Sequence, residues 1–355
     1  MGDQSELMPR DVMSGTAAQA FAELLEALRR GAAYGNYERV RQRVLEMRAL
    51  EAALPHYRPS AYWEEELDNF DYMLDASPLV VDKLRQHTMH ITGIRAYEYR
   101  SNRDRFRRQF TEKFREMQRI APKGLLVPES PQLGGYGFDI EGSRYNIDTL
   151  KFWEVLIALE RGAVLDEFRD ARERRLVWEI GAGWGGFPYQ FKTLCPNVTY
   201  VITDFPELFL YSATYLLTLF PEAKAAFWGE APTADVLARW AEYDFIFMPN
   251  TALTELTPPR IDLTVNMVSF QEMTQDQVDM YVRHAHDCGS RFLYSLNKEH
   301  STYNFEIKSV SAVIDRYYWP RQIDVMPVPY TRMLDAKPTA NDYQHIIGWR
   351  RVKTQ

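Results

Sequence analysis

From residue 175 onward, short continuous apolar runs alternate with longer stretches whose apolar positions recur at helical spacing. RLVWEI (175–180), VTYVIT (198–203), YDFIFM (243–248), IDLTVNMV (261–268) and SRFLYSL (290–296) predict five buried strands. GFPYQFKTLC (186–195), PELFLYSATYLLTLF (206–220) and TQDQVDMYVRHAHDCG (274–289) predict helices between them. The second of these starts on Pro206, a favoured first-turn residue, and the third runs from Thr274 to a glycine stop. Strands that are apolar throughout, interleaved with helices, predict a parallel sheet covered on both faces. The tail differs. RQIDVMPV (321–328) and HIIGWRRV (345–352) lack a helix between them and predict an antiparallel pair that ends the sheet. The expected fold class is therefore α/β and Rossmann-like, with seven mostly parallel strands and a final antiparallel hairpin.

The first 125 residues read as an α-helical cap domain. GTAAQAFAELLEALRRGAAYG (15–35) carries a helical pattern up to a glycine stop, and YERVRQRVLEMRALEAAL (37–54) repeats it up to Pro55. Residues 126–165 read as linker, lid and lead-in helix, because 122–146 are rich in Pro and Gly and 147–163 return to helical spacing. Residues 166–355 form the predicted core domain. Five arginines fall within residues 100–108, which suits either a solvated helix face or an anion-binding face for a phosphorylated substrate.

Composition narrows the function classes. The chain has 355 residues, 46% hydrophobic and 14% aromatic, with a formal net charge of −7, which argues against a nucleic-acid partner. Two cysteines, Cys195 and Cys288, point to a reducing, cytosolic setting without a disulfide scaffold. Neither a secretory leader nor an apolar run long enough to span a membrane is apparent. Patterns such as H-x-x-x-H or C-x-x-C are absent, so no protein metal site is expected, although magnesium held partly by a substrate is compatible with the sequence.

The glycine loop after the first strand, EIGAGWGGF, fits two fingerprints. Gly181, Gly183 and Gly186 read as the G-x-G-x-x-G of a dinucleotide loop, while Glu179, Gly181, Gly183 and Gly185 read as the acidic glycine loop that holds S-adenosylmethionine. Asp204, at the end of the second strand, would take ribose hydroxyls in either case. Glu179 separates them. At the end of a buried strand its carboxylate opposes a pyrophosphate and suits the α-ammonium of a methionine moiety. A competing role turns Glu179 onto a structural arginine, Arg174 or Arg175.

Four blocks in order, WEIGAGWGGFPYQF, TDFPELFLYSATYL, YDFIFMPNTALTELTPPRIDLTVNMVSFQEM and YSLNKE, resemble the sugar O-methyltransferase family over roughly residues 130–350. The resemblance implies a class I methyltransferase fold and methyl transfer from S-adenosylmethionine to a small polar acceptor, a hydroxyl of a sugar or natural-product intermediate. It places Glu179, Gly181, Gly183 and Gly185 at the methionine end and Asp204 at the ribose. Phe205 and Leu208 would flank the adenosine, Asn250 would meet adenine, and Asn266 and Ser269 would face the donor sulfur and the acceptor. The family often has an Arg where this chain has Val268, so a basic contact to the acceptor is absent or comes from elsewhere.

A hydroxyl acceptor needs a base. The plant-type position for a catalytic His is occupied by Gln271, which cannot serve, so adjacent Glu272 is the candidate; a carboxylate favouring the following helix N-terminus is its alternative role. His284 and His286 read as packing or surface residues. Tyr136, Arg144, Tyr145 and Trp153 within a lid, together with Gln271, are candidates for binding the acceptor. Two further readings stay open. Trp184, Phe187, Tyr189 and Trp228 would stabilise a carbocation during C-methylation of an isoprenoid diphosphate, or the protein binds S-adenosylmethionine without turnover. The helical front also offers a surface for a homo-oligomer.

Overall fold

The computed structural model describes residues 15–52, 61–100, 104–169, 172–300, 307–337 and 339–352. At the front stand α1 (Gly15–Arg29), α2 (Ala32–Glu51) and, after several short helical turns, α3 (Asp104–Ile120). The first helix stops at Gly31 and not at Gly35, which lies inside α2. A small hairpin, Phe138–Ile140 with Ser143–Tyr145, leads into α4 (Ile147–Arg161).

The core then alternates β1 (Arg175–Ile180), α5 (Gly186–Leu194), β2 (Val198–Asp204), α6 (Pro206–Leu219), β3 (Ala225–Phe227), β4 (Phe245–Pro249), β5 (Leu263–Met267), α7 (Gln275–Asp287), β6 (Phe292–Asn297), α8 (Val310–Tyr317), β7 (Tyr318–Gln322) and β8 (Gln344–Arg350). The sheet order is β3-β4-β2-β1-β5-β6-β8-β7. All pairings are parallel except those of β8, which runs antiparallel to β6 and β7. This is the class I methyltransferase arrangement with one addition: the sheet has eight strands rather than seven, because the three-residue β3 pairs outside β4. The terminal hairpin also begins earlier than expected. Its first strand is Tyr318–Gln322, following α8 without a loop, and only Arg321 and Gln322 of the expected 321–328 run belong to it.

Period-two alternation splits the core into two layers. Val177, Tyr200 and Ile202 face one layer, which includes α4, α5 and α6, while Leu176, Trp178, Ile180 and Val201 face the other, with α7 and α8. Helix ends follow local chemistry. Asn146 and Thr149 form a reciprocal capping box at α4, and Thr274 with Gln277 does so at α7. Eleven of the fifteen residues of α4 are buried. The core lies on one side of it and the helical front on the other. Among the described residues, no helix is long and apolar enough to cross a membrane.

Candidate functional site

Strand β1 is where the chain's direction of progress across the sheet reverses, with β2 on one side and β5 on the other. Such switch points open a crevice at the carboxyl ends of the strands. A cavity of about 520 Å3 lies here, bounded by the glycine loop, the ends of β1, β2, β4 and β5, and parts of the helical front. Gly181 and Gly183 line it with φ of 74° and 58°, left-handed values that only glycine adopts freely. A Cβ on Gly181 would fall 2.4 Å from Ser269 Oγ, and one on Gly183 would fall 2.7 Å from Ile91 Cγ2. Gly185 does not line the cavity; it is the N-cap of α5.

Three carboxyl groups converge on the loop. Glu179 is fully buried, its Oε2 accepting from Tyr200 Oη at 2.8 Å and its Oε1 without a hydrogen-bond partner. Neither arginine considered for it is near. Arg174 binds Asp244, Thr199 and backbone carbonyls, and Arg175 binds Asp262. Asp204 Oδ2 accepts from the Gly183 amide at 2.8 Å and Oδ1 from the Phe205 amide at 2.9 Å. Glu272 lies in a short turn before α7, which is capped by Thr274, and faces the cavity with a hydrogen bond to Trp63.

Loss of water around these carboxyls raises all three. Burial, eased by the Tyr200 hydrogen bond, pushes Glu179 from 4.5 to about 8. Burial, eased by the two amides, pushes Asp204 from 3.8 to about 7. Burial, with repulsion from Asp204 and Glu66, pushes Glu272 from 4.5 to about 8. An acid raised on folding holds its proton longer in the native state. Its contribution to stability is fully present below its unfolded value and is lost as pH rises through the folded value. The ligand-free protein is thus expected to lose stability from these groups between about pH 4 and 8, with Glu179→Gln flattening the decline; urea unfolding across that range measures it.

Asn250, Phe205, Leu208, Ser269 and Gln271 also line the cavity. Asn266 does not. It is fully buried, donates from Nδ2 to Ile180 O at 2.9 Å and accepts at Oδ1 from the Phe270 amide and Asn297 Nδ2. It ties β1 to the turn that carries Ser269 and Glu272. Val268 lines the cavity in left-handed backbone, φ 63°, which a β-branched residue adopts only under constraint.

Four expected acceptor-wall residues are elsewhere. Tyr136 accepts from buried Arg85, Tyr145 and Trp153 pack on Phe114, and Arg144 donates to Gly135 O. The segment is closely packed here: a Cβ on Gly135 would lie 1.8 Å from Ser130 O. Its contribution to the cavity comes from Ile147, Asp148, Lys151 and Phe152 instead. Of the proposed carbocation cage only Trp184 lines the cavity, since Phe187 is core and Trp228 donates to Glu255. Arg105, Arg107 and Arg108 are exposed and away from the cavity, Arg100 binds Gln86, and Arg103 lies outside the described residues. His284 and His286 bond backbone carbonyls of Leu256 and Arg351 and do not line it either.

Residues that sequence patterns left unassigned complete the enclosure. The turn Met89–Thr92 and Trp63 cover the loop from the helical front. Tyr330 and Thr331 close it from the tail, on a segment pinned by buried Lys113, whose Nζ donates to Pro329 O at 2.6 Å and Arg332 O at 2.9 Å. Beneath the loop Arg85, also buried, donates to Glu129 at 2.8 Å and Asp148 at 2.6 Å, with its guanidinium 3.7 Å from the Trp184 ring centroid. Among the described residues, no group of three His, Cys, Asp or Glu is placed to hold a metal ion.

The strand order and the acidic glycine loop together define a class I methyltransferase fold. Neither a family model nor a curated protein matches the chain. Solved structures similar to it include WbdD with the kinase inhibitor LY294002 (TM-score 0.37, 12% identity, 57% of this chain and 40% of that one). The pyocyanin biosynthetic protein PhzM is another (0.34, 12%, 55% and 57%). A third is an O-methyltransferase family protein from Burkholderia thailandensis (0.33, 13%, 58% and 60%). The chain thus spans less than two thirds of the length of each of these.

Proposed function

We propose that the protein is an S-adenosylmethionine-dependent methyltransferase acting on a hydroxyl of a small molecule, such as a sugar or natural-product intermediate. The observation that carries this is the Oε1 of Glu179, buried without a partner at the glycine loop. Such an atom costs about 1–3 kcal/mol unless a ligand satisfies it, and an ammonium group does so. Four carboxyl-bearing residues, Asp148, Glu179, Asp204 and Glu272, line the cavity against one lysine, Lys151. That balance favours a cationic ligand and opposes the pyrophosphate of a dinucleotide.

In this reading Glu179 holds the methionine end, the backbone of Gly181 to Gly183 lies against it, Asp204 takes the ribose, and Phe205, Leu208 and Asn250 surround the adenine. The bound cofactor supplies a methyl group on a sulfonium, which needs a correctly placed nucleophile and a route for its proton. Glu272 accepts that proton as its carboxylate. Asn266 fixes the turn that carries it. Thermal unfolding with S-adenosylmethionine, S-adenosylhomocysteine or NAD present tests the proposal. The sulfur compounds should each raise the midpoint by several degrees at a hundredfold excess over Kd, while NAD leaves it unchanged. Stabilisation by NAD alone would overturn it.

A further inference from the structure

The cavity wall made by α4 and the tail is a poor match for a free sugar. Phe152 and Tyr330 present rings there, with Ile94 and Ile147 beside them. Gln271 is already engaged, its Oε1 accepting from the Lys298 amide at 3.0 Å and its Nε2 donating to Tyr343 Oη at 3.4 Å. A sugar carries a hydroxyl on nearly every carbon, and each one buried unpaired costs about 1–3 kcal/mol. On this wall Asp148 is held by Arg85 and Lys151 and Tyr343 by Gln271, which leaves Thr331, Lys151 and the Tyr330 hydroxyl to meet them.

Lys151 stands among these rings. Its Nζ is 4.7 Å from the Phe152 ring centroid and 5.7 Å from that of Tyr330, and its side chain is only 14% exposed. Its anionic partner is Asp148, at 3.2 Å, but Asp148 also receives Arg85 at 2.6 Å. Arg85 also pairs with Glu129, so the two cations and two carboxylates balance, and Lys151 is the cation of this group that lines the cavity.

Resting on the methyltransferase reading of this cavity, we propose that the acceptor is a planar, largely apolar molecule with an acidic hydroxyl, of the phenol or enol class, whose oxygen sits on Lys151 Nζ beside the rings of Phe152 and Tyr330. Lys151 then stabilises the oxyanion, as an opposite charge at this range lowers a hydroxyl pKa by about 1–3 units. The hydroxyl proton passes to the Glu272 carboxylate and on to solvent. The oxyanion's electron pair forms the new O–C bond while the C–S bond breaks with its pair on sulfur, yielding a methyl ether and S-adenosylhomocysteine.

4-Nitrophenol tests this, because its phenol and phenolate forms differ in absorbance. Titrated with full-length protein saturated with S-adenosylhomocysteine, its bound pKa should fall by about one unit or more. Lys151→Met should abolish the fall and weaken nitrophenol binding about tenfold while keeping affinity for S-adenosylhomocysteine within threefold. Lys151→Arg should restore most of the shift. An unshifted or raised pKa, equal competition by methyl glucoside, or a Lys151→Met variant that loses S-adenosylhomocysteine but not nitrophenol would each overturn the inference. In the last case Lys151 holds the cofactor carboxylate. Failure of wild-type protein to bind S-adenosylhomocysteine at all would instead overturn the methyltransferase reading itself.

Discussion

Arg85→Ala is expected to destabilise the protein by about 3–5 kcal/mol, the range for removing one member of a buried ion cluster. The Arg85 side chain is fully enclosed, and Glu129 and Asp148 are as buried as it is. Its Nε and Nη2 each bond a carboxylate, while Nη1 donates to Thr88 Oγ1 at 2.6 Å and Tyr136 Oη at 3.2 Å. Alanine leaves both carboxylates without their countercharge. It also removes the guanidinium behind Trp184, which belongs to the glycine loop. Affinity for S-adenosylhomocysteine should therefore fall along with stability. Arg85→Lys should rescue little, because one ammonium cannot reproduce the fork of donors. Arg85→Met combined with Glu129→Gln should recover most of the loss, since Asp148 then keeps Lys151 as its partner and no carboxylate is left without a countercharge. Urea unfolding at pH 7 measures all three, and a cost below about 1 kcal/mol for Arg85→Ala would mean the cluster does not brace the loop.

Glu179→Gln should separate stability from binding. It removes the buried acid without changing shape, so ligand-free stability should match wild type near pH 4, where Glu179 is protonated both folded and unfolded, and should exceed wild type by a growing margin as pH rises to about 8. Binding moves the other way. A charge-assisted hydrogen bond is worth about 1.5–3 kcal/mol, so affinity for S-adenosylhomocysteine should drop about 10- to 100-fold. An ammonium ligand needs the ionised carboxylate, so wild-type affinity should strengthen as pH rises towards 8, with proton release on binding below that pH. In Glu179→Gln this pH dependence should weaken. Calorimetry in buffers of different ionisation enthalpy reads both effects.

Much of the core was legible because each of its signals is local. RLVWEI and its four counterparts are mostly apolar on both faces, and they form parallel strands because only doubly covered strands tolerate that pattern. Glu179 and Asp204 were found because they end such strands. Other features depend on distant partners. Arg85 sits in KLRQH, which reads as solvated charge, and only the approach of Glu129 and Asp148, 44 and 63 residues on, buries it. Lys151 reads as one polar position of an amphipathic helix, and the tail's Tyr330 makes it part of a pocket. Tyr136 and Trp153 lie in and just after a glycine-rich stretch that reads as a lid in the sequence. Those glycines permit close packing against Ser130 and Lys83 instead. Strand β3 carries no signal in the sequence, because three residues are too few to show periodicity.

The central claim is that Glu179 recognises the amino-acid end of S-adenosylmethionine. Calorimetric titration of wild type and Glu179→Gln with S-adenosylhomocysteine and with 5′-methylthioadenosine, which lacks that end, tests it most directly. Wild type should prefer S-adenosylhomocysteine, and the substitution should cut that preference about 10- to 100-fold while leaving 5′-methylthioadenosine affinity unchanged. Equal preference in the two proteins would contradict the account.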